Sequence, residues 1–256
     1  RNNIPDDMEI EAFVHGSMCI SYSGRCLLSS FLAGRDANRG ECTHPCRWKY
    51  SLMEETRPGQ YMPVEENERG TFILNSRDLS MIEHMDDLMA SGIDSFKVEG
   101  RMKSELYAAT VAGAYRRAID EWLEDPEIYR NDIDYLKQEL DKCTHRLYST
   151  GFFYGKPSES AQIYESSTYE KEYTYLGTAE SVKDGYIRLH QKNKFSVGDE
   201  IEILSPGRAF RTCRVTDMRD EDGAAMVSCP HPKQEFYIKT SEEASAGDVL
   251  RMRTGR

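Results

Sequence analysis

No apolar run in this chain approaches the roughly 20 residues that a membrane-spanning helix needs, so no transmembrane segment is expected. No secretory segment is visible either, and a cytoplasmic location is the expectation. The first residue is Arg1 and not methionine, which suggests a fragment, a trimmed chain or a processed one. Basic charge is also short. The chain holds 33 Lys and Arg against 44 Asp and Glu, a net charge of −11. Such a balance argues against a non-specific nucleic-acid binder, whose affinity comes mostly from phosphate contacts. Residues 171–256 are even, with 14 basic and 14 acidic residues, so the whole deficit lies in residues 1–170. Any role with RNA must then rest on a local basic patch. Two protease signatures are missing: there is no His-Glu-x-x-His and no Gly-x-Ser-x-Gly. The tight Cys-x-x-Cys pair of a zinc ribbon is missing as well.

What the chain does have is cysteine in one place. Cys19, Cys26, Cys42 and Cys46 fall within 28 residues, separated by six, fifteen and three residues. Gly16, Gly24, Gly34, Gly40 and Pro45 make the segment bent and loop-rich, so that it can fold back on itself. Packing cysteines fit a polar loop poorly. Disulfides fit poorly too, because Cys143, Cys213 and Cys229 leave an odd total and nothing marks secretion. A soft metal or an iron–sulfur cluster suits converging thiolates best. Zinc stays open, with His44 or His15 replacing one thiolate.

An apolar content of 39% across 256 residues supports a folded core, in one large domain or two smaller ones. Residues 9–15 read as a buried strand, residues 47–54 and Tyr61 to Val64 as a hairpin about Arg57-Pro58-Gly59-Gln60, and Thr71–Asn75 as another strand. Asp78 is expected to cap a helix of about 14 residues stopped by Gly92. Ile93–Val98 reads as a strand, Ser104 as the start of a helix to Leu123, and Asp132–His145 as a further helix. Strand and helix alternate, which predicts parallel βα units with functional groups at the strand ends. Three such ends are polar: His15-Gly16, Asn75-Ser76-Arg77-Asp78, and Lys97 to Lys103. After a linker at 166–172 the pattern turns to short alternating strands: 173–176, 186–190, 200–204, 210–216, 225–229, 236–239 and 249–253. Gly-Asp precedes a strand twice, at Gly198-Asp199 and Gly247-Asp248. This predicts a small antiparallel β-barrel with Cys213 and Cys229 in its core or edge. The expected domains are 1–165 and 166–256.

The run from Glu11 to Cys19, followed after six residues by Cys26-Leu27-Leu28-Ser29, closely resembles the signature of the U32 peptidase family, the collagenase-like proteins. Phe96 to Ser104, Tyr115 to Asp120 and Thr144 to Phe152 are similar to three further family blocks. The tail resembles the family's C-terminal domain, akin to the second domain of translation elongation factors. The resemblance implies the C-terminal half of a (β/α) TIM-like barrel, its front half upstream of Arg1, followed by the small β-barrel. Family members carry two unlike labels, collagenase or protease on one side and hydroxylation factor on the other. In motif order this chain is similar to members needed for 5-hydroxylation of the wobble uridine in tRNA. Those hold a 4Fe-4S cluster and draw on prephenate. Carried over by position, Cys19, Cys26, Cys42 and Cys46 would be the cluster ligands.

Around that centre, Lys97, Arg101 and Arg77 can hold the carboxylates of a small acid, arginine being suited to bidentate contact. Asn75, His15 and Lys103 complete the expected substrate-binding set, and Glu99 can orient the cations or transfer a proton. The competing expectation is a buried salt-bridge network with His15 a structural histidine. A peptidase would use Cys19 or Cys26 as nucleophile with His44 as base, which leaves the other cysteines unexplained. Ser17 beside His15 makes no triad by adjacency alone. A tRNA partner would dock on the C-terminal β-barrel, where Arg208, Arg211, Arg214 and Arg219 cluster near Lys192 and Lys194. A non-catalytic RNA- or partner-binding scaffold is the third possibility.

Overall fold

The computed structural model of the chain describes residues 2–19, 25–48, 51–53, 61–63, 76–155 and 172–254. The first strand, β1 (Glu11–Gly16), buries its last three residues. Gly16 adopts φ +118°, and a Cβ there would lie 2.3 Å from the carbonyl oxygen of Glu99, so only glycine fits. A short helix, α1 (Leu28–Ala33), ends on Gly34 in the left-handed conformation. Single 3-10 turns follow at Ala37–Arg39 and Pro45–Arg47. The expected hairpin is present as β2 (Ser51–Met53) against β3 (Tyr61–Pro63). Its first arm starts later than expected, because residues 45–47 form a turn around Pro45. The expected strand at 71–75, with Asn75, lies outside the described residues, as does the boundary at 165–166.

Asp78 does not cap a helix. Asp78–Ser80 is a strand, β4, and all three residues are buried. The Asp78 carboxylate accepts from the Arg146 N–H at 3.1 Å, and its own N–H donates to the carbonyl of Leu147 at 3.0 Å. The residue is therefore tied sideways to another strand, and the helical stretch begins only with a 3-10 turn at Ile82–His84 and α2 (Met85–Ala90). Next come β5 (Ser95–Val98) and α3 (Glu105–Glu124), whose first turn is capped by the Ser104 side chain on the Tyr107 N–H, as expected. The following helix, α4 (Pro126–Asp141), starts six residues earlier than expected. Pro126 occupies its first turn, where the missing N–H costs nothing, and Asp125 accepts from the Glu127 N–H. The last strand of this part is β6 (Tyr148–Ser149).

These strands form one sheet in the order β5-β1-β4-β6. β1 and β5 run parallel, as do β4 and β6, but β1 and β4 run antiparallel. The sheet is thus mixed, where the strand–helix order predicts all-parallel pairing. α3 and α4 pack on each other and on the sheet around Val14, Met81, Met85, Val111, Tyr115, Tyr129, Leu136 and Leu140. Buried residues of α3 recur every three or four positions from Leu106 to Ala118, the pattern of one helical face. Two tyrosines bolt this core. Tyr115 Oη donates to the Val14 carbonyl and accepts from the Met81 N–H, both at 2.9 Å. Tyr129 Oη does the same between Ile82 and Met85, at 2.8 and 3.1 Å.

The C-terminal part has seven antiparallel strands: β7 (Tyr173–Thr178), β8 (Ser181–Lys183), β9 (Tyr186–His190), β10 (Glu200–Leu204), β11 (Arg211–Arg219), β12 (Glu235–Thr240) and β13 (Val249–Arg253). Their order is β7-β13-β10-β11-β12-β9-β8. The sheet curls: just past β9, the Lys192 N–H reaches the Leu176 carbonyl of β7, bringing the β9 side against the opposite edge. The repeated Gly-Asp pair builds one turn twice. Asp199 accepts from the Ser196 N–H and Asp248 from the Ser245 N–H, each at 2.8 Å, after glycines of positive φ. Residues 225–229 are not a strand; they make only isolated bridges at Ala225 and Ser228. Cys213 and Cys229 are buried in the core of this part, as expected.

The two parts meet on buried charge. Arg251 is fully buried and pairs with Glu202 of β10 at 2.6 Å and Glu139 of α4 at 2.7 Å. Lys142 adds bonds to Glu139 at 2.7 Å and Glu202 at 3.4 Å, and its ammonium lies 3.5 Å from the Phe210 ring centre. Leu106, Tyr175 and Val249 form an apolar cluster at the same junction.

Candidate functional site

The cysteine loop is held at the end of the mixed sheet. Ser29 of α1 ties its two halves together: Ser29 Oγ accepts from the Thr43 N–H at 3.0 Å and lies 3.2 Å from Thr43 Oγ1. This sets the Cys26 end of the loop beside Cys42. Further along, the His44 N–H donates to Cys42 Sγ at 3.4 Å, His44 being in the left-handed conformation ahead of Pro45. Gly40 sits flat on Arg101, since a Cβ there would lie 1.5 Å from its Nη1. On the Cys19 side, Met18 packs against Gly151. All four cysteines are free thiols; Cys19 is exposed and the others are half-buried. Among the described residues, no three His, Cys, Asp or Glu side chains gather closely enough to hold a metal ion. The loop is therefore folded back as the sequence predicts, with two of its cysteine segments adjacent, and residues 20–24 lie outside the description.

Below the loop the strand ends are joined. The Glu99 N–H donates to the His15 carbonyl at 2.9 Å, and Glu99 Oε1 accepts from the Arg101 N–H at 3.2 Å. Lys103 Nζ donates to the Thr144 carbonyl at 2.9 Å and stands 5.2 Å from the Tyr107 ring centre. Arg77 has a buried Nε with no hydrogen-bond partner among the described residues. Lys97 is drawn elsewhere: its ammonium bonds Glu11 at 2.6 Å and lies over Phe13. That bond, with a second from Ser95, holds the Glu11 carboxyl below its ordinary range. So Glu99, Arg101, Lys103 and His15 come together at the strand ends, while Lys97 is spent on an outward ion pair.

His15 is enclosed. Its ring centre lies 6.0, 5.6 and 5.2 Å from those of Tyr107, Tyr115 and Tyr148, and Tyr148 stacks on His145 at 4.6 Å. Burial drives the His15 pKa down to about 3, so its imidazole is neutral at physiological pH. Its Nδ1 is 3.5 Å from Tyr115 Oη, and its Nε2 has no hydrogen-bond partner among the described residues. Burial also pushes Tyr107 and Tyr148 well above the ordinary tyrosine range, which keeps both as neutral hydroxyls. Asp78 Oδ1 and Ser17 Oγ are likewise buried without partners. Unsatisfied buried polar atoms are costly and rare, so several near one set of strand ends mark a place prepared to hydrogen-bond something. The tyrosine hydroxyls are taken, Tyr107 donating to the Glu99 carbonyl at 3.0 Å and Tyr148 to the Leu140 carbonyl at 3.3 Å, so the polar atoms on offer are His15 Nε2, Ser17 Oγ and Asp78 Oδ1; positive charge comes from Lys103 and Arg101 at the edge. Sequence reasoning places Asp78 at a polar strand end but also reads it as a helix cap, and it misses the three tyrosines; Tyr107 and Tyr115 look in sequence like any core residues of an amphipathic helix.

Three of the C-terminal basic residues grouped by the sequence are engaged within the chain. Arg211 reaches Ser205 and Asp248, Arg219 pairs with Asp217, and Lys192 bridges to Glu105 of α3. Among the described residues no helix is long and apolar enough to cross a membrane.

Residues 1–163 match the peptidase family U32 and residues 171–251 match the peptidase family U32 C-terminal domain. The chain is 37% identical over 247 residues to tRNA hydroxylation protein P1 of Bacillus subtilis, covering 96% of this chain and 58% of that protein. It is 33% identical over 294 residues to tRNA hydroxylation protein P of Escherichia coli, covering 99% and 64%. A protein named collagenase from Porphyromonas gingivalis is 30% identical over 261 residues, covering 95% and 58%. The chain thus spans about three fifths of the length of these relatives, between 58% and 64%.

Proposed function

The chain belongs to peptidase family U32, and on that premise we propose that it serves RNA modification, as a factor for 5-hydroxylation of the wobble uridine in tRNA. One observation carries this reading. Relatives named for tRNA hydroxylation align along nearly the whole chain, through the mixed sheet and the C-terminal sheet alike. On the same reading the mixed sheet is part of a (β/α) barrel and the C-terminal sheet is a barrel of the elongation-factor type.

Cys19, Cys26, Cys42 and Cys46 are the residues that would hold a 4Fe-4S cluster. The donor set fits such a group in its chemistry, four free thiols on one loop with a backbone N–H directed at one sulfur, and binding would have to draw together side chains that stand apart in this structure. Hydrogen bonds to cluster sulfurs are among the protein's means of setting potential. A bound cluster would supply one-electron redox chemistry. The chain's own part is to place substrate. Arg101, pressed against Gly40 of the loop, and Lys103 present positive charge to a small carboxylic acid such as prephenate, with Arg77 as a further donor. Neutral His15 offers a hydrogen bond through Nε2 without changing charge, while the Tyr107 and Tyr148 hydroxyls donate to the Glu99 and Leu140 carbonyls and wall the enclosure. Zinc on three of the thiols with His44 is the alternative centre.

The likeness to a collagenase favours peptidase activity as a second reading. It needs Cys19 or Cys26 as nucleophile with His44 as base, whereas the His44 contact to a cysteine that the structure gives is its backbone N–H on Cys42, which is not a base. Mass analysis of tRNA from cells lacking the gene separates the two. Loss of hydroxylated wobble uridine, restored by the wild-type gene and not by Cys42→Ser, is the expected result. An unchanged wobble uridine would refute the proposal. Anaerobically purified protein should be brown, with visible absorbance bleached by dithionite; a colourless protein carrying zinc would replace the cluster with the alternative metal.

A further inference from the structure

One face of the C-terminal sheet has a composition that ion pairing alone does not explain. Ladder register puts Lys183 of β8 opposite Tyr186 of β9, and Lys239 of β12 stands at Tyr186's other side, its ammonium 4.4 Å from the ring centre. In the next row Ser181, Arg188, Tyr237 and Arg219 lie side by side across β8, β9, β12 and β11. Two tyrosines therefore occupy neighbouring strands one row apart, with cationic side chains on both sides of each. The Arg219 guanidinium is 5.1 Å from the Tyr186 ring centre. Residues alternating with this set, Ile187, Leu189, Phe236 and Ile238, are fully buried in the core, so the face rests on a rigid base.

The carboxylates on the face are already engaged. Asp217 takes the Tyr186 hydroxyl and Arg219. Glu235 takes Arg188 through two bonds of 2.7 Å and the Tyr237 hydroxyl at 3.2 Å. Lys183 and Lys239 have no carboxylate within ion-pair distance among the described residues, which leaves two amines for an outside anion. The helical part docks on β10 and β13 instead, through Arg251, Glu202 and Val249. Aromatic rings on a solvent-facing antiparallel sheet, flanked by cations, are the chemistry that stacks unpaired bases and neutralises the phosphates between them.

We propose that this face binds a single-stranded stretch of RNA, with Tyr186 and Tyr237 stacking two bases and Lys183 and Lys239 meeting the neighbouring phosphates. The proposal rests on the RNA reading given above and names the surface that reading would use. The test is fluorescence anisotropy on the whole chain, with a labelled oligouridine and a labelled anticodon-arm hairpin as probes. Tyr186→Leu/Tyr237→Leu should bind both RNAs about tenfold or more weakly, with unchanged circular dichroism. Lys183→Glu/Lys239→Glu should weaken binding and flatten the salt dependence by about 1.4 in log–log slope, roughly 0.7 per lost phosphate contact. Wild-type affinity in both double variants would overturn the face while leaving RNA binding intact. If the wild-type chain binds neither probe, the face is likewise overturned. The RNA reading itself is then decided by the wobble-uridine mass analysis, which does not depend on this surface.

Discussion

At the scale of single residues, two positions give direct tests. His15 has a folded pKa of about 3 against an ordinary 6.5. Below pH 6.5 the unfolded chain takes up a proton that the folded chain refuses, so stability present at neutral pH is lost as pH falls from 6.5 towards 3. Between pH 7.5 and 5 this costs roughly 2 kcal/mol, at 1.36 kcal/mol per unit. Urea unfolding of wild type and His15→Gln at both pH values should show the wild type losing that much more than the variant; equal losses would mean that His15 is solvated. Gly40 is the second position. A methyl there strikes the end of the long, exposed Arg101 side chain and not backbone, so Gly40→Ala should keep the fold, with about 1 kcal/mol of left-handed strain. It should displace the Arg101 guanidinium. Hydroxylation in cells should fall in Gly40→Ala as in Arg101→Ala, and the double variant should be no worse than either. Additive losses would separate the loop from Arg101.

At the scale of elements, α3 contains an untaken gain. Gly113 sits mid-helix, beside a cleft of about 770 Å³ between α3 and the Leu204–Phe210 loop, and a Cβ there would meet nothing within 4 Å. Gly113→Ala should raise stability by about 0.5–1 kcal/mol, read as a higher Tm in calorimetry. Elements of this kind are also where sequence reading succeeded. The Ser104 cap, the apolar face of α3 and strands β9, β10 and β13 follow from local signals: a capping hydroxyl, a 3.6-residue period, a two-residue period bounded by Gly-Asp. It failed where the deciding partner is distant. Asp78 looks like a cap until Arg146 and Leu147, nearly 70 residues away, claim its carboxylate and its N–H. Pro126 looks like a terminator, but with Asp125 capping it opens a helix. The site divides the same way. The cysteine loop and the Glu99–Arg101–Lys103 run were legible as clustered chemistry. The enclosure of His15 was not, because Tyr107 and Tyr115 of α3, Tyr148 of β6 and Asp78 of β4 come from three separate elements.

At the scale of the whole molecule, the junction between the two parts depends on four charges that cancel. Arg251→Met would leave Glu139 and Glu202 sharing Lys142 alone in a buried setting, and should cost about 3–5 kcal/mol in urea unfolding. Arg251→Met/Glu202→Gln should recover part of that loss, because the excess negative charge is gone. A wild-type unfolding curve for the single variant would show that the parts are held by Leu106, Tyr175 and Val249 without help. The arrangement also restricts how the halves of family members can be recombined. A chimera that grafts a foreign C-terminal sheet onto this helical layer imports its own residues at 202 and 251 while keeping Glu139 and Lys142. Unless all four match, one stranded ion ends up sealed at the seam, so the two halves are bound to change together at that weld.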